Sequence, residues 1–225
     1  MRRDAAQNRQ ALLDAALEIF SERGLAPTLD DVARAAGVGV ATAYRHFANK
    51  TDLAFAALEA SVDSMLLAAE RAAGMSDGWV GLVEFFDVTV RPQATQQALR
   101  EMLSTDPESP PMVEVHRRVG ECLSTILERA QQQGAVRADV VVSDLAVLAT
   151  LLGEAVRLFG AVAPDSWERF ASLLLDGLRP GATTTLVAEP LTREQFIAGI
   201  ASQARAAAGP RVRPRQARTH RADGS

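Results

Sequence analysis

At 225 residues, 48% of them hydrophobic, the chain can bury a full core as one large domain or as a small domain joined to a larger one. A net charge of −4 argues against indiscriminate binding to nucleic acid. A lone cysteine, Cys122, excludes an internal disulfide and, with no charged-then-apolar leader at the start, leads us to expect a reducing cytoplasm. The most apolar run, residues 145–153, lies between Asp144 and Glu154 and is too short to span a bilayer, so no membrane partner is expected.

Ala, Leu, Arg, Glu and Gln dominate while strand formers are scarce, so the fold class is all-α. Charge is uneven along the chain. Residues 1–50 carry seven Lys/Arg against six Asp/Glu, residues 51–208 twelve against twenty-one, and the stretch from 209 five Arg against one Asp. A nearly neutral head on an acidic body suits a protein that meets DNA with one small face.

In chain order, Leu13, Ala16, Leu17 and Phe20 fall on one face of a first helix that Gly24 ends. Pro27 prevents its continuation, and Thr28-Leu-Asp-Asp reads as an N-cap with an acidic residue three positions on, close to a capping box. Leu29, Val32, Ala33 and Ala36 give the second helix its buried stripe. Gly37 permits a sharp turn, Val38 plugs it, and Gly39 starts a third helix over residues 40–47, barely two turns long. Asn49 and Asp52 repeat the cap spacing for a fourth helix, residues 50–73, with Leu58, Val62, Met65 and Ala69 inward.

Two short helices over residues 79–90 and 93–103, parted by Pro92, follow, and then a three-proline loop, residues 106–111. Val115, Val119, Cys122 and Ile126 mark a long helix ending at Gly134. In residues 143–160, Leu145, Leu148, Leu152, Val156 and Phe159 share one face and Leu151 and Leu158 another, so that helix needs two partners. Trp167, Phe170, Leu174 and Leu178 form the stripe of a further helix. A polar linker, a weaker helix over residues 192–208 and an Arg-rich tail with the composition of disorder complete the chain.

The second and third helices, joined through Gly37, have the spacing of a helix-turn-helix, whose second helix enters the major groove. That face presents Val40, Ala41, Thr42 and Arg45. Thr42 can donate to a phosphate while its methyl meets a thymine, and Arg45 can reach guanine N7 and O6 or a phosphate. Tyr44, His46 and Lys50, the sole lysine among 24 basic residues, flank the groove as phosphate donors, and Thr28 with the free N–H groups of its helix clamps another phosphate.

These residues resemble the DNA-binding head of the TetR family of bacterial transcriptional regulators. The likeness runs through ALLDAALEIFSERG, TLDDVARAAGV and TAYRHFANKTDL, about a fifth to a quarter of the chain. Gly39 stands where the family usually has Ser, and Ala43 where it usually has a larger aliphatic residue, which suggests a looser start to the recognition helix. Residues 128–156 and 167–181 are similar to the C-terminal domain of the SbtR-like branch.

The resemblance implies a head over residues 1–52, a regulatory and dimerisation domain over 75–180 and a linker with tail over 181–225. It also implies a homodimeric repressor that binds a palindromic double-stranded DNA operator and is released by a small apolar or amphipathic inducer. On that basis Phe85, Phe86, Met102, Met112, His116 and Phe159 are candidates for the ligand pocket, although His116 reads first as a satisfied or exposed helix residue. Leu148, Leu152, Val156, Trp167, Phe170 and Leu174 are candidates for a four-helix dimer interface. No cofactor is implied. With three His, and no Ser/His/Asp set, metal-ligand cluster or Gly-rich phosphate loop, an enzyme is not expected. The alternative is an activator or protein-interaction module with such a head and no small-molecule ligand.

Overall fold

The computed structural model describes residues 2–103, 108–181 and 184–207, and among these it contains ten α-helices and no strand. They are α1 (Arg2–Arg23), α2 (Leu29–Ala35), α3 (Val40–His46), α4 (Lys50–Ala73), α5 (Gly78–Thr95), α6 (Gln97–Leu103), α7 (Pro110–Gln132), α8 (Val142–Phe159), α9 (Ser166–Gly177) and α10 (Arg193–Ala207). None of them is long and apolar enough to cross a membrane. The Arg-rich stretch from 208 lies outside the described residues.

The caps set most boundaries of the head. Gly24 and Gly37 take φ of +57° and +65°, the left-handed region that a Cβ disfavours, so each reverses the chain within a residue or two. Thr28 and Asp31 form a reciprocal capping box: Asp31 N–H donates to Thr28 Oγ1 at 3.2 Å and Thr28 N–H to Asp31 Oδ2 at 2.9 Å. Asn49 caps α4 by accepting from Asp52 N–H at 2.9 Å. At α3 the Gly39 cap contributes no side-chain bond, and a seven-residue helix cannot hold itself. It is pinned by Ala43 and Phe47, 0% and 5% exposed, which pack into the head core with Leu12, Phe20 and Val32.

Three elements differ from the sequence expectation. The inward stripe of α1 is Leu12, Ala16 and Phe20, and Leu17 is 45% exposed, because the apolar residues at 12, 13, 16, 17 and 20 fit two faces about 100° apart equally well. Pro92 lies inside α5, which runs on to Thr95. Proline removes the N–H that would bond Val88 O, yet the helix continues; beside it Gln93 Nε2 bonds Thr89 O at 2.8 Å and Arg100 Nη1 bonds Gln93 O at 2.5 Å. Pro110 and Pro111 open α7 rather than closing a loop, since the first turn of a helix does not use its N–H groups.

Buried side chains fall into two clusters. The first joins α1–α3 and the front of α4 to Ala98, Leu99 and Met102 of α6 and Met112 and Val115 of α7, so the core around the head does not stop at residue 52. The second joins the rear of α4, α5, the rest of α7, α8 and α9 around Phe85, Phe86, Leu123 and Trp167. At about 1.5–3 kcal/mol for each large apolar side chain buried, either cluster outweighs the capping bonds.

Candidate nucleic-acid interface and ligand cavity

On the head, α3 lies across α1 and α2 with its outer face free. Val40 is 37% and Tyr44 51% exposed, Ala41 and Arg45 are exposed, and Thr42 and His46 are half-buried. Arg45 folds back along its own helix: Nε donates to Ala41 O and Nη2 to Thr42 Oγ1, both at 3.2 Å. Arg45 and Thr42, two of the four residues expected to face bases, are therefore hydrogen-bonded to one another. The Tyr44 hydroxyl lies against the Asp30 carboxylate, whose hydrogen bond and negative charge push the phenol pKa up and keep it a neutral donor. Thr28 is committed to the cap, with Oγ1 also donating to Asp31 Oδ2 at 2.6 Å.

Lys50 is placed differently from the sequence expectation. Its Nζ turns inward and donates to Leu25 O in the α1–α2 loop at 2.5 Å. The same residue is gripped from the other side, Leu25 N–H donating to Glu101 Oε2 of α6 at 2.6 Å, and Gln97 Nε2 steadies Glu101 Oε1 at 2.7 Å. Gly24 is packed against this grip, since a Cβ there would come within 2.8 Å of both Glu101 oxygens. An ammonium near the N-terminus of α4 opposes the helix dipole, and the loop carbonyl offers it a partner. Sequence spacing carried no signal of this contact, because Lys50, Leu25 and Glu101 meet only in three dimensions.

Where the two cores meet, a cavity of about 1320 Å³ opens between α4, α5, α6, α7, α8 and the segment 190–200. Met65, Met112 and Val115 border it from the first core, Phe85 and Leu123 from the second. Of the pocket candidates Phe85, Met112 and His116 line it. Phe86 does not: it is 2% exposed and packs edge-on against Phe85 at 6.0 Å between centroids. Met102 lines a separate hollow of about 310 Å³ with Arg9 and Phe55. Phe159 is 45% exposed on another face of α8, its ring 6.4 Å from that of Phe170.

The polar lining was less visible in the sequence. Arg117 is held by Glu114 and Glu121, and Arg157 by Glu154. Thr89 is buried with its hydroxyl donating to Phe85 O at 2.7 Å, so it is satisfied within its own helix. The Nδ1 of His116 is buried without a hydrogen-bond partner, and burial first, then the positive charge of Arg193, pulls the imidazole pKa down.

The dimer candidates divide. Leu152, Val156 and Trp167 are 2–3% exposed inside the protomer's own core, Leu148 and Leu174 are half-buried against it, and Phe170 is exposed. The uncovered apolar face of α8 and α9 consists instead of Leu151, Leu158, Phe159, Phe170 and Leu173, each 38–61% exposed. The two-sided pattern of α8 is thus real, but its first side, Phe159 excepted, packs into the protomer's own core.

Residues 12–57 match the family model of bacterial regulatory proteins of the tetR family, and residues 79–180 that of the SbtR-like transcriptional regulator C-terminal domain. A TetR transcription regulatory protein from Mycobacterium vanbaalenii is 31% identical over 79% of this chain and 98% of that one, with a TM-score of 0.47. The chain belongs to the TetR family. PfmR of Thermus thermophilus, 24% identical over 77% of this chain and 96% of its own, shares the fold at a TM-score of 0.54. An HTH-type transcriptional regulator of Staphylococcus aureus is 34% identical over 67 residues, 29% of this chain, and the chain spans 36% of that relative's length. This TetR-family member is a DNA-binding transcriptional regulator with α2 and α3 as its helix-turn-helix, and no enzymatic family is indicated.

Proposed function

We propose that this regulator is a homodimeric repressor which seats the two α3 helices in successive major grooves of a palindromic operator and releases it when a small molecule fills the cavity. Val40, Ala41, Thr42 and Arg45 read bases, Tyr44 and His46 with the α2 N-terminus hold phosphates, and Lys50 acts by fixing the head instead of touching DNA. The exposed apolar face of α8 and α9 pairs two protomers.

The observation that carries ligand control is the position of α6. Arg100 and Leu103 line the cavity, while Gln97 and Glu101 of the same seven-residue helix grip the Gly24–Leu25 turn of the head. A ligand that shifts α6 therefore moves the support of the helix-turn-helix. It does so to the extent that it binds the two head placements with different affinity.

A gel-shift titration with the DNA upstream of its own gene tests the operator claim: binding well above that to random duplex at the same salt is expected, and equal binding removes it. For the coupling, Glu101→Ala is expected to leave ligand affinity unchanged, because Glu101 does not line the cavity, and to shrink the ligand-induced loss of DNA affinity. An undiminished response in that variant would show that α6 is not the link.

A further inference from the structure

The cavity is not enclosed by α4–α8. Its remaining wall is the segment 190–200, which lies past residue 180, where the match to the SbtR-like domain ends. Pro190, Leu191, Phe196, Ile197 and Ile200 all line the opening. Ala201 behind them is 2% exposed yet belongs to neither core cluster, so this segment is seated chiefly by the cavity itself and by α8.

A reciprocal cap between Thr192 and Gln195 fixes where α10 begins and places Arg193 in its first turn. A cation there opposes the helix dipole. Arg117 and Arg157, the cations of the α7 and α8 walls, have carboxylate partners, whereas Arg193 forms no ion pair among the described residues. Opposite it stands His116, kept neutral by burial and by Arg193. The rim at this point thus offers an unneutralised guanidinium, the free N–H groups of a helix start and an uncharged imidazole, next to a long apolar wall.

We propose that residues 190–200 complete a binding site for an anionic amphiphile, whose carboxylate pairs with Arg193 beside His116 while its apolar body lies between Phe196, Ile197 and Ile200 and the facing Phe85 and Val119. The guanidinium fork matches a carboxylate with two parallel hydrogen bonds, and the anion relieves the repulsion at the α10 N-terminus. A ligand bound there contacts α10 directly, which makes the C-terminal segment part of the sensor. This rests on the reading of the cavity as the ligand site.

Isothermal titration of the full chain with decanoate and with decan-1-ol, both below aggregation, separates the elements. The two probes share a tail and differ in the head. Decanoate is expected to bind about tenfold more tightly than the alcohol, the worth of one charge-assisted pair. Arg193→Glu should erase that preference and leave the alcohol unchanged, and Phe196→Asp should weaken both. Neither residue belongs to a core cluster, so both variants should fold. Equal affinity of the two probes for the parent chain, or a preference that survives Arg193→Glu, overturns the anionic assignment alone. Unchanged binding in Phe196→Asp removes the segment from the site, and binding of neither probe removes the cavity reading as well.

Discussion

Lys50 is the one lysine of the chain, and its ammonium is engaged by the protein itself. A hydrogen bond from a charged donor contributes about 1.5–3 kcal/mol when it is well enclosed, and this half-buried one less. Lys50→Met is therefore expected to lower the stability to urea by about 1 kcal/mol. A variant of parental stability that bound DNA more weakly would return Lys50 to the phosphate-contact role. At Gly37, where a side chain would meet nothing within 4 Å, alanine should cost only the left-handed backbone penalty of about 1–2 kcal/mol. Gly24→Ala should cost more, because it also disturbs the Glu101 grip on Leu25. His116 gives a pH dependence of defined sign. Its folded pKa is held below the usual value of about 6.5, so as pH falls through that value the unfolded chain takes up the proton first and stability declines. The urea midpoint should drop between pH 7.5 and 5.5 in the parent and drop less in His116→Asn.

At the scale of elements, most of the head was legible because its ends are marked by residues with one job. Gly24 and Gly37 reverse the chain, and Thr28 with Asp31 and Asn49 with Asp52 cap helices through local bonds that spacing alone reveals. Thr28→Ala should accordingly cost about 0.5–2 kcal/mol of stability in a urea titration, with α2 weakened most. What was not legible depends on partners far along the chain. The rotation of α1 is decided by which of two apolar faces meets α4 and α6. The passage of α5 through Pro92 has no local mark, since a proline ordinarily ends or kinks a helix. In α8 both apolar faces were visible, but nothing local says which belongs to the protomer's own core. For the cavity, Phe85, Met112 and His116 were legible through the family resemblance and not through any local pattern. Arg193, Phe196 and Ile200 were legible through neither, since a weakly amphipathic helix after a polar linker carries no mark of where it docks.

At the scale of the whole molecule, the seam between two cores is where the proposed ligand site adjoins the support of the DNA-binding head. Residues of α6 belong to the head's core, line the cavity and grip the α1–α2 turn, so the acidic body is mechanically continuous with a head whose recognition helix cannot stand alone. The proposed dimerisation belongs to the same scale. The exposed Leu158 and Leu173 lie on the face left uncovered by α8 and α9, and the double variant Leu158→Glu, Leu173→Glu should sediment as a folded monomer. A dimer that survived both charges would place the interface elsewhere. The most direct test of the regulator as described is selection of bound sequences from a pool of random duplexes by the full chain at fixed salt. The predicted product is a two-fold symmetric site with half-site centres about one helical turn, ~34 Å, apart, and Arg45→Ala should relax the sequence preference within each half. A pool that emerges without enrichment, or enriched for an asymmetric single site, would contradict the paired reading of DNA by α3.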